Sequence, residues 1–369
     1  MTAPLAGIKV IELARVLAGP WIGQTLADLG AEIIKVESAK GDETRQWGPP
    51  FATIEDTDIS AYFLATNRGK SSVIADFNNP ADLAHIKALI ADADIVIENF
   101  KVGGLKKFGL DYDSLKQSHP ALIYASITGF GQDGPYASKA GYDFLIQGMS
   151  GIMDLTGESD GAPQKIGVAY ADIFTGLYGV IGIQAALRHR DKTGEGQHID
   201  LSLFDSMVGV LANQGQNYLV SGKSPKRMGN AHPNICPYAV FPVSDGHVII
   251  AVGNDEQFAR LCQILDCSDL AGDSRFRTNQ DRVAHRTILT KLLTDALKQV
   301  SKETFLKACD EAVVPAGPIN SVADAITDPQ TTHRQMIVET DGVRSIRTPL
   351  RFSKSTLAMH KRAPKLGED

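Results

Sequence analysis

In residues 1–130, short continuous apolar runs alternate with stretches whose apolar residues recur at helical spacing. Continuous runs of four to seven residues predict buried strands of a parallel sheet that is covered on both faces. A proline near the start of the first helical stretch and a glycine near its end favour a helix there. The predicted strands are 8–13, 32–37, 71–77, 94–100 and 121–127, and the predicted helices are 19–31 and 80–93.

This alternation predicts a Rossmann-like α/β fold, in which the ligand lies at the carboxyl ends of the strands. Residues 167 to about 220 have a helical pattern, and a connection rich in proline and polar residues follows. Beyond it, strands at 247–253 and 314–319 enclose a helical region, which indicates a smaller mixed α/β domain. The predicted domains are a large Rossmann-like domain at 1–221, a small domain at 222–325 and a segment at 326–369 that returns to the large domain.

The composition of the chain argues against several classes of function. A chain of 369 residues can form two domains, and its net charge of −6 argues against nucleic acid as the main partner. The apolar runs are shorter than the ~18 residues of a membrane span, and the N-terminus lacks the features of a signal peptide. The four cysteines have no C-x-x-C spacing. We therefore expect a cytoplasmic protein without a membrane partner.

Several sequence motifs that would indicate a bound phosphate, a dinucleotide or a metal ion are incomplete in this chain. The segment "NRGKSS" at 67–72 would complete a phosphate loop only with glycine at position 64, where Leu64 stands. No G-x-G-x-x-G follows the first strand, which disfavours a dinucleotide. His232 and Cys236 have no third ligand nearby in the sequence, so we predict no metal site. A G-x-S-x-G nucleophile elbow is also missing.

Asp172 is the single acid near the start of the apolar segment "GVAYADIFTGLYGVIGIQAAL" at 167–187. One interpretation is a helix N-cap, which would contribute about 1 kcal/mol. The other is a nucleophile. The glycines at 176, 179 and 182 allow either close helix packing or a bound ligand, so the residues alone leave both interpretations open.

Seven blocks in order resemble the class III CoA-transferases, the formyl-CoA and carnitine CoA-transferase family also called CaiB/BaiF. The resemblance covers nearly the whole chain, and each block is only moderately specific. The blocks are "IKVIELARVLAGPWIGQTLADLGAEIIKVE" (8–37), "IENF" (97–100), "SITGFGQDGPY" (126–136), "AGYDFLIQGMSG" (140–151), "GVAYADIFTGLYGVIGIQAAL" (167–187), "GEGQHIDLSLFD" (194–205) and "GNAHPNICPYAVF" (229–241).

The resemblance implies an interlocked homodimer and an enzyme that acts on an acyl-CoA and a small carboxylic acid. It implies that Asp172 attacks the thioester, gives an aspartyl anhydride and then carries CoA as an aspartyl thioester. Because the ordinary pKa of aspartate is near 4, we expect Asp172 to be ionised at pH 7 without a general base. CoA thioesters are then substrates, and no permanently bound cofactor is expected.

The CoA-binding residues follow from the same resemblance. The residues after the first strand and those of the "ENF" turn would contact CoA, and a lysine stands where the family often has a phosphate-binding arginine. A further lysine, Lys139 or Lys40, would bind another phosphate, and an acidic residue would lie beside the nucleophile. The expected set is Val16, Leu17, Ala18, Asn99, Phe100, Lys107, Lys139 and Asp143.

Two alternatives remain open at the level of sequence. The α-methylacyl-CoA racemases resemble this chain but have a histidine in a block like "AGHD", where this chain has Tyr142, a poor base at neutral pH. A non-catalytic CoA-binding homologue would use Asp172 only as a cap. For a transferase, "MGNAHPNICPY" is unlike the glycine-rich loop of formyl-CoA transferase and favours a dicarboxylic acid acceptor. The residues available for its second carboxylate are Arg45, Arg68, Arg227 and His232.

Overall fold

The structure is a computed structural model that describes residues 2–369, and its contacts divide the chain into two compact units. The first unit contains the N-terminal part up to Ile152 together with Lys165–Lys223 and Pro329–Asp369. The second unit contains Met153–Gln164 and Ser224–Asp328. The chain therefore enters the second unit twice, and 153–164, which the sequence analysis assigned to 1–221, belongs to it.

The first unit is built on a parallel six-stranded sheet. Its elements up to Ile152 are β1 (Lys9–Glu12), α1 (Ala18–Asp28), β2 (Glu32–Glu37), β3 (Phe51–Ile54), β4 (Thr57–Ser60), α2 (Ala61–Leu64), β5 (Lys70–Ile74), α3 (Pro80–Ala91), β6 (Ile95–Glu98), α4 (Tyr112–Leu115), β7 (Ile123–Thr128) and α5 (Asp143–Met149). After α6 (Ile152–Leu155), which belongs to the second unit from Met153 onward, the first unit continues with α7 (Tyr170–Thr193), β8 (His198–Ser202), α8 (Leu203–Gly209) and α9 (Ala212–Ser221). The strand order is β5-β2-β1-β6-β7-β8, which confirms the predicted Rossmann-like α/β class.

The second unit has its own apolar core, and its elements are β9 (Tyr238–Val243), β10 (Gly246–Ala251), α10 (Asp255–Ile264), α11 (Asp269–Gly272), α12 (Asn279–Ala284), α13 (Arg286–Leu297), α14 (Lys302–Glu311), β11 (Ala316–Pro318) and α15 (Val322–Thr327). Its three strands form an antiparallel sheet in the order β11-β10-β9. The chain then returns to the first unit with α16 (Pro329–His333), β12 (Ile337–Thr340) and β13 (Val343–Ile346). This is the smaller mixed α/β part that the sequence predicted.

The continuous helical reading of 167 to about 220 is wrong in its middle. The helix α7 ends at Gly194, whose φ of 79° is left-handed, and His198–Ser202 then forms the sixth strand β8. Residues 198–202 pair in parallel with β7, so that Leu201 lies opposite Ile127. The following apolar residues belong to the short helices α8 and α9, and they hide the strand in the sequence pattern.

The glycines of α7 serve helix packing. A Cβ at Gly179 would lie 2.3 Å from the Ile22 side chain of α1, and one at Gly182 would lie 3.3 Å from Ile199 of β8. At Gly179 and Gly182 the packing interpretation is therefore confirmed, since protein side chains occupy the space beside both. Among the described residues, α7 is the one helix long and apolar enough to cross a membrane by length and composition alone. A packed core helix passes the same test.

Buried charges connect three adjacent strands of the sheet, β1, β2 and the edge strand β5. Glu12 on β1, Lys35 on β2 and Lys70 on β5 are fully buried. The Lys70 Nζ lies 2.9 Å from Glu12 Oε1 and 2.8 Å from Oε2, and the Lys35 Nζ donates to Oε1 at 3.1 Å. A buried carboxylate is tolerated because paired cations and hydrogen bonds compensate its lost hydration. We call Glu12, Lys35 and Lys70 the buried charge cluster.

Residues near the C-terminus pack on the first unit through further buried charges. Arg45 donates to both oxygens of Glu37 and also to the Pro364 carbonyl oxygen at 3.0 Å. Arg68 forms an ion pair with Asp28 at 2.6 Å, and Thr348 donates a hydrogen bond to the same carboxylate. The contacts of Arg45 with Pro364 and of Asp28 with Thr348 join residues that are 319 and 320 positions apart in the chain.

The buried charge cluster makes Gly23 a sensitive position. A Cβ there would lie 1.8 Å from Glu12 Oε2, so Gly23→Ala displaces a carboxylate that Lys35 and Lys70 require. We expect a loss of about 3 kcal/mol or more in the free energy of unfolding, measured by chemical denaturation. The matched control is Gly209→Ala at the end of α8, where a Cβ meets no atom within 4 Å. Equal stability of the two variants would contradict this account.

Candidate functional site

The loop after β1 has an unusual backbone at the carboxyl edge of the sheet. Val16 has a φ of 71°, a left-handed conformation that a β-branched side chain rarely adopts. Such a conformation costs about 1–3 kcal/mol and persists only where the surrounding structure enforces it. Leu17 is the N-cap of α1, and Ala18 is the first residue of that helix. The three residues that the resemblance assigned to CoA therefore lie together, between the first strand and its helix.

Two side chains from other elements bind this loop. The Val16 N–H donates to the Asp42 carboxylate, at 3.2 Å from Oδ2 and 3.4 Å from Oδ1. The Arg15 N–H donates to Asn99 Oδ1 at 2.9 Å, and Asn99 Nδ2 donates back to the Arg15 carbonyl at 2.7 Å. Because β1 and β6 are neighbours in the sheet, the turn that follows β6 reaches the loop that follows β1.

The "ENF" turn is itself held by a buried acid. Glu98, the last residue of β6, accepts the Phe100 N–H at 2.7 Å. Burial raises the pKa of Glu98 to about 7. Hydrogen bonds from Ser126 and from the Phe100 N–H lower this pKa but do not outweigh the effect of burial. The Phe100 ring lies 6.2 Å from that of Phe77, among the apolar residues on one face of the sheet. Asn99 and Phe100 therefore lie on a turn with a defined backbone.

Asp172 does not cap its helix. The N-cap of α7 is Ala169, and Asp172 is the third residue of the helix, within its first turn. One turn later on the same face, Gly176 contacts α1, where a Cβ would lie 3.1 Å from the Ala18 carbonyl and 3.0 Å from the Trp21 ring. The N-cap interpretation is thus wrong, and the side of α7 that carries Asp172 faces the start of α1.

The Asp172 carboxylate is partly buried and makes no side-chain hydrogen bond among residues 2–369. Burial, with a smaller contribution from the Asp143 charge, raises the pKa of Asp172 to about 7. The raised pKa favours the protonated form of Asp172 more than the ordinary aspartate pKa would, because the site withholds solvation from the anion. An acid without hydrogen-bonding partners at the start of an apolar helix is available for chemistry.

Asp143 fixes the position of this first turn. It is the first residue of α5, and its Oδ1 accepts the Ala171 N–H at 2.7 Å. Its Oδ2 accepts from Gln147 Nε2 at 2.8 Å, and Gln147 Oε1 in turn accepts the Ile166 N–H. The resemblance placed Asp143 near the nucleophile, and the structure brings its carboxylate to the residue adjoining Asp172.

Tyr62 and Trp47 also lie at this site, and the sequence analysis did not identify them. Burial raises the pKa of the Tyr62 phenol to about 12, with further contributions from the charges of Asp172, Asp143 and Asp42. The Trp47 ring packs edge-to-face on the Tyr62 ring at 5.1 Å. The local sequence around Tyr62 does not indicate a site, because the charges that affect Tyr62 belong to three other segments of the chain.

The remaining basic residues divide into two groups. Lys107 and Lys139 are exposed, with their Nζ atoms 4.5 Å and 3.8 Å from the rings of Phe108 and Tyr136, and neither contacts Asp172 in the structure as described. Arg45 and Arg68 are buried in ion pairs with Glu37 and Asp28. The prediction that Arg45 or Arg68 holds a substrate carboxylate is therefore wrong, because both guanidinium groups serve the fold.

Two predicted residues belong to the second unit. Arg227 forms an ion pair with Asp154 at 2.8 Å, and His232 Nδ1 accepts the Asn234 N–H at 3.1 Å. Across residues 2–369, no group of three or more histidine, cysteine, aspartate or glutamate side chains has the arrangement to hold a metal ion. The side chains described around Asp172 are the carboxylate of Asp143 and the phenol of Tyr62.

Comparison with known proteins identifies the family of this chain. The family model described as CoA-transferase family III matches residues 5–369. A succinate–glutarate CoA-transferase of Agrobacterium fabrum is 54% identical over 373 residues, which cover 99% of this chain and 93% of that protein. The succinyl-CoA:glutarate CoA-transferase of Homo sapiens is 40% identical over 371 residues, which cover 99% of this chain and 84% of the human protein.

A solved structure agrees as well. The crystal structure of a CaiB/BaiF family protein from Brucella suis superposes with a TM-score of 0.91 at 60% identity, covering 100% of this chain and 97% of that one. Family model, relatives and fold point to the same conclusion, and the order of the seven sequence blocks is explained by common descent. The chain belongs to CoA-transferase family III and is a CoA-transferase.

Proposed function

We propose that this enzyme transfers CoA from succinyl-CoA to a small dicarboxylic acid of the glutarate type, with Asp172 as the nucleophile. Two relatives that match 99% of the chain are named for succinate or succinyl-CoA together with glutarate. The observation that carries the proposal is the Asp172 carboxylate, which is partly buried, has no hydrogen-bonding partner among the described residues, and lies on the face of α7 directed at the start of α1.

In the first half-reaction, an Asp172 carboxylate oxygen attacks the thioester carbonyl of succinyl-CoA. The C–S bond breaks, and the products are a mixed anhydride on Asp172 and CoA thiolate. The thiolate then attacks the aspartyl carbonyl of the anhydride and releases succinate. CoA remains on the enzyme as an aspartyl thioester.

In the second half-reaction, a carboxylate oxygen of the acceptor attacks the aspartyl thioester carbonyl and again releases CoA thiolate. The thiolate then attacks the acceptor carbonyl of the new anhydride. This step forms the product acyl-CoA and restores the Asp172 carboxylate. Atoms and charge balance over the cycle, and water has to be excluded because both intermediates hydrolyse.

The surrounding residues have distinct tasks in this mechanism. The Tyr62 phenol, like an ordinary tyrosine, is protonated at neutral pH, so its hydroxyl can donate to an oxyanion beside Asp172. Asp143 fixes the first turn of α7 through the Ala171 N–H. The loop of Val16 and Leu17, with Ala18, is the proposed contact for the pantetheine end of CoA, and Asn99, Phe100, Lys107 and Lys139 are proposed to contact its nucleotide end.

Two other activities have less support. Proton exchange by a histidine and aspartate pair would need a base at position 142, where a tyrosine is the N-cap of α5 and is 66% exposed. A non-catalytic homologue would use Asp172 as a cap, whereas Ala169 has that position. The geometry therefore favours transfer over both alternatives.

We further propose that the enzyme is a homodimer. On α7, Ile181 is 62% exposed, and on α9 Leu219 and Val220 are 74% and 78% exposed. Large apolar side chains clustered on exposed helix faces are typical of subunit interfaces. The interlocked arrangement is expected from the family resemblance and is part of the same proposal.

A covalent adduct tests the nucleophile. After brief incubation with succinyl-CoA, intact-protein mass spectrometry is expected to detect protein-bound CoA, and peptide mapping is expected to assign it to Asp172. Asp172→Asn should abolish the adduct and reduce kcat by at least about 10⁴-fold. The control is Asp191→Asn, an exposed acid near the end of the same helix, which should keep both. An unmodified wild type that turns over would exclude this mechanism.

The pH dependence tests the raised pKa of Asp172. Only the ionised carboxylate attacks, so the single-turnover rate of adduct formation should rise with pH, with a midpoint near 7 and about a tenfold loss at pH 6. In Asp143→Asn the repulsion by a neighbouring charge is removed, and the midpoint should move to lower pH. A rate that falls through pH 7, or a midpoint that does not move in Asp143→Asn, would contradict this assignment.

Native mass spectrometry tests the dimer. We expect twice the chain mass of 39.7 kDa for the wild type. Changing both Leu219 and Val220 to glutamate should shift the population to monomer, because four carboxylates per dimer would have to be buried. Lys223→Glu, just beyond the same helix, is the surface control. A monomeric wild type would overturn the proposal.

A further inference from the structure

We propose that Asp42 and Asn99 are positioning residues that keep the Val16 backbone in its left-handed conformation and thereby set the start of α1 opposite Asp172. This inference rests on the proposed function, since it assigns these residues a part in the attack by Asp172. Neither side chain is a reacting group. Each acts through hydrogen bonds to the loop between β1 and α1.

Three consecutive residues of the loop are each bound by a side chain from a different part of the first unit. The Ala14 carbonyl accepts from Lys35 Nζ at 2.8 Å. Both backbone groups of Arg15 bond to Asn99. The Val16 N–H donates to Asp42. Such repeated restraint is expected where a backbone conformation is unfavourable and has to be enforced by its surroundings.

Asp42 is itself held rigidly. It is 1% exposed, and its carboxylate accepts from the Thr44 N–H at 3.0 Å and the Thr44 hydroxyl at 2.8 Å. The Lys35 Nζ lies 3.1 Å from its Oδ2, so the same lysine joins Asp42 to Glu12 of the buried charge cluster. A carboxylate with this many fixed partners can hold the Val16 N–H in one place.

The loop conformation determines what lies opposite the nucleophile. Leu17, the residue after Val16, is the N-cap of α1, so a change at Val16 moves the first turn of that helix. Ala18 in that turn faces Gly176, one turn from Asp172. The charges of both Asp42 and Asp172 contribute to the raised pKa of Tyr62. If either restraint is lost, Val16 relaxes to a negative φ and the alignment at Asp172 is lost.

The test is a double-mutant cycle, because glycine adopts a left-handed φ without strain. The variants are Asp42→Asn, Val16→Gly and their combination, and a second cycle uses Asn99→Ala in place of Asp42→Asn. The measured quantities are kcat, the single-turnover rate of adduct formation, the Kd of CoA and the unfolding midpoint. Hydrogen exchange of the peptide that contains Val16 is followed in parallel.

We expect Asp42→Asn to lower the adduct rate by roughly 10- to 100-fold with Val16 present, with a smaller effect on the Kd of CoA. In the Val16→Gly background the same substitution should cost no more than about threefold, because no strain remains to be held. A residue with only a structural role would lower the unfolding midpoint and the rate by equal factors in both backgrounds. That result would overturn the proposal.

Asn99→Ala keeps the test decisive if Asp42→Asn does not fold, since Asn99 is only partly buried. Its effect on the adduct rate should likewise be small in the Val16→Gly background. Hydrogen exchange of the peptide that contains Val16 should be faster in Asn99→Ala than in the wild type. Unchanged exchange in both variants would refute the positioning role. A wild type with no CoA transfer would instead refute the proposed function, while faster exchange in the variants would still show that Asp42 and Asn99 hold the loop.

Discussion

The fully buried Glu12 carboxylate is the constraint on which the first unit depends. A charge inside the sheet requires compensation. Lys35 supplies it from the neighbouring strand β2, and Lys70 supplies it from the edge strand β5. The same two ammonium groups also donate to the carbonyls of Ala14 and Pro20, which flank the loop after β1. The electrostatic requirement of the sheet interior therefore also determines the backbone at the sheet edge, where the chemistry takes place.

Three aspartates near this edge differ in environment, and the differences match different tasks. Asp42 has a lowered pKa because Lys35 and the Thr44 hydrogen bonds outweigh its burial. Asp143 is bound to a backbone N–H and to Gln147. Asp172 has a raised pKa because it is buried without such partners. One residue type thus supplies a loop support, a helix support and a reactive group, and only the surroundings distinguish them.

Most of the fold could be predicted because its signals are local. The strand at 32–37 has the predicted bounds. The predicted helix 19–31 differs from the observed one by one and three residues at its two ends, and 80–93 has the observed start but ends two residues late. The strand β8 was missed because its apolar residues continue into a helix, and only pairing with β7 identifies it. Local pattern does not contain that information.

The candidate site was less accessible from sequence. Asp172 and Asp143 could be identified from the sequence. Whether Asp172 caps the helix could be decided only once the first residue of the helix, Tyr170, was known. Tyr62 and Asp42 come from distant segments, so their presence beside Asp172 depends on tertiary packing. Arg45 and Arg68 were wrongly offered as carboxylate ligands because a free and a paired arginine look the same in a sequence.

The contact between Arg45 and Pro364 has a consequence for how the chain is made. At a synthesis rate of roughly 5–20 residues per second, Arg45 leaves the ribosome roughly 15–60 s before Pro364 exists. A similar interval separates the synthesis of Asp28 from that of its partner Thr348. During that interval the nascent sheet contains charged side chains whose partners near the C-terminus have not yet been translated. A premature stop before residue 348 would therefore leave the N-terminal unit exposed to chaperones and proteases, although every residue of its sheet would be present.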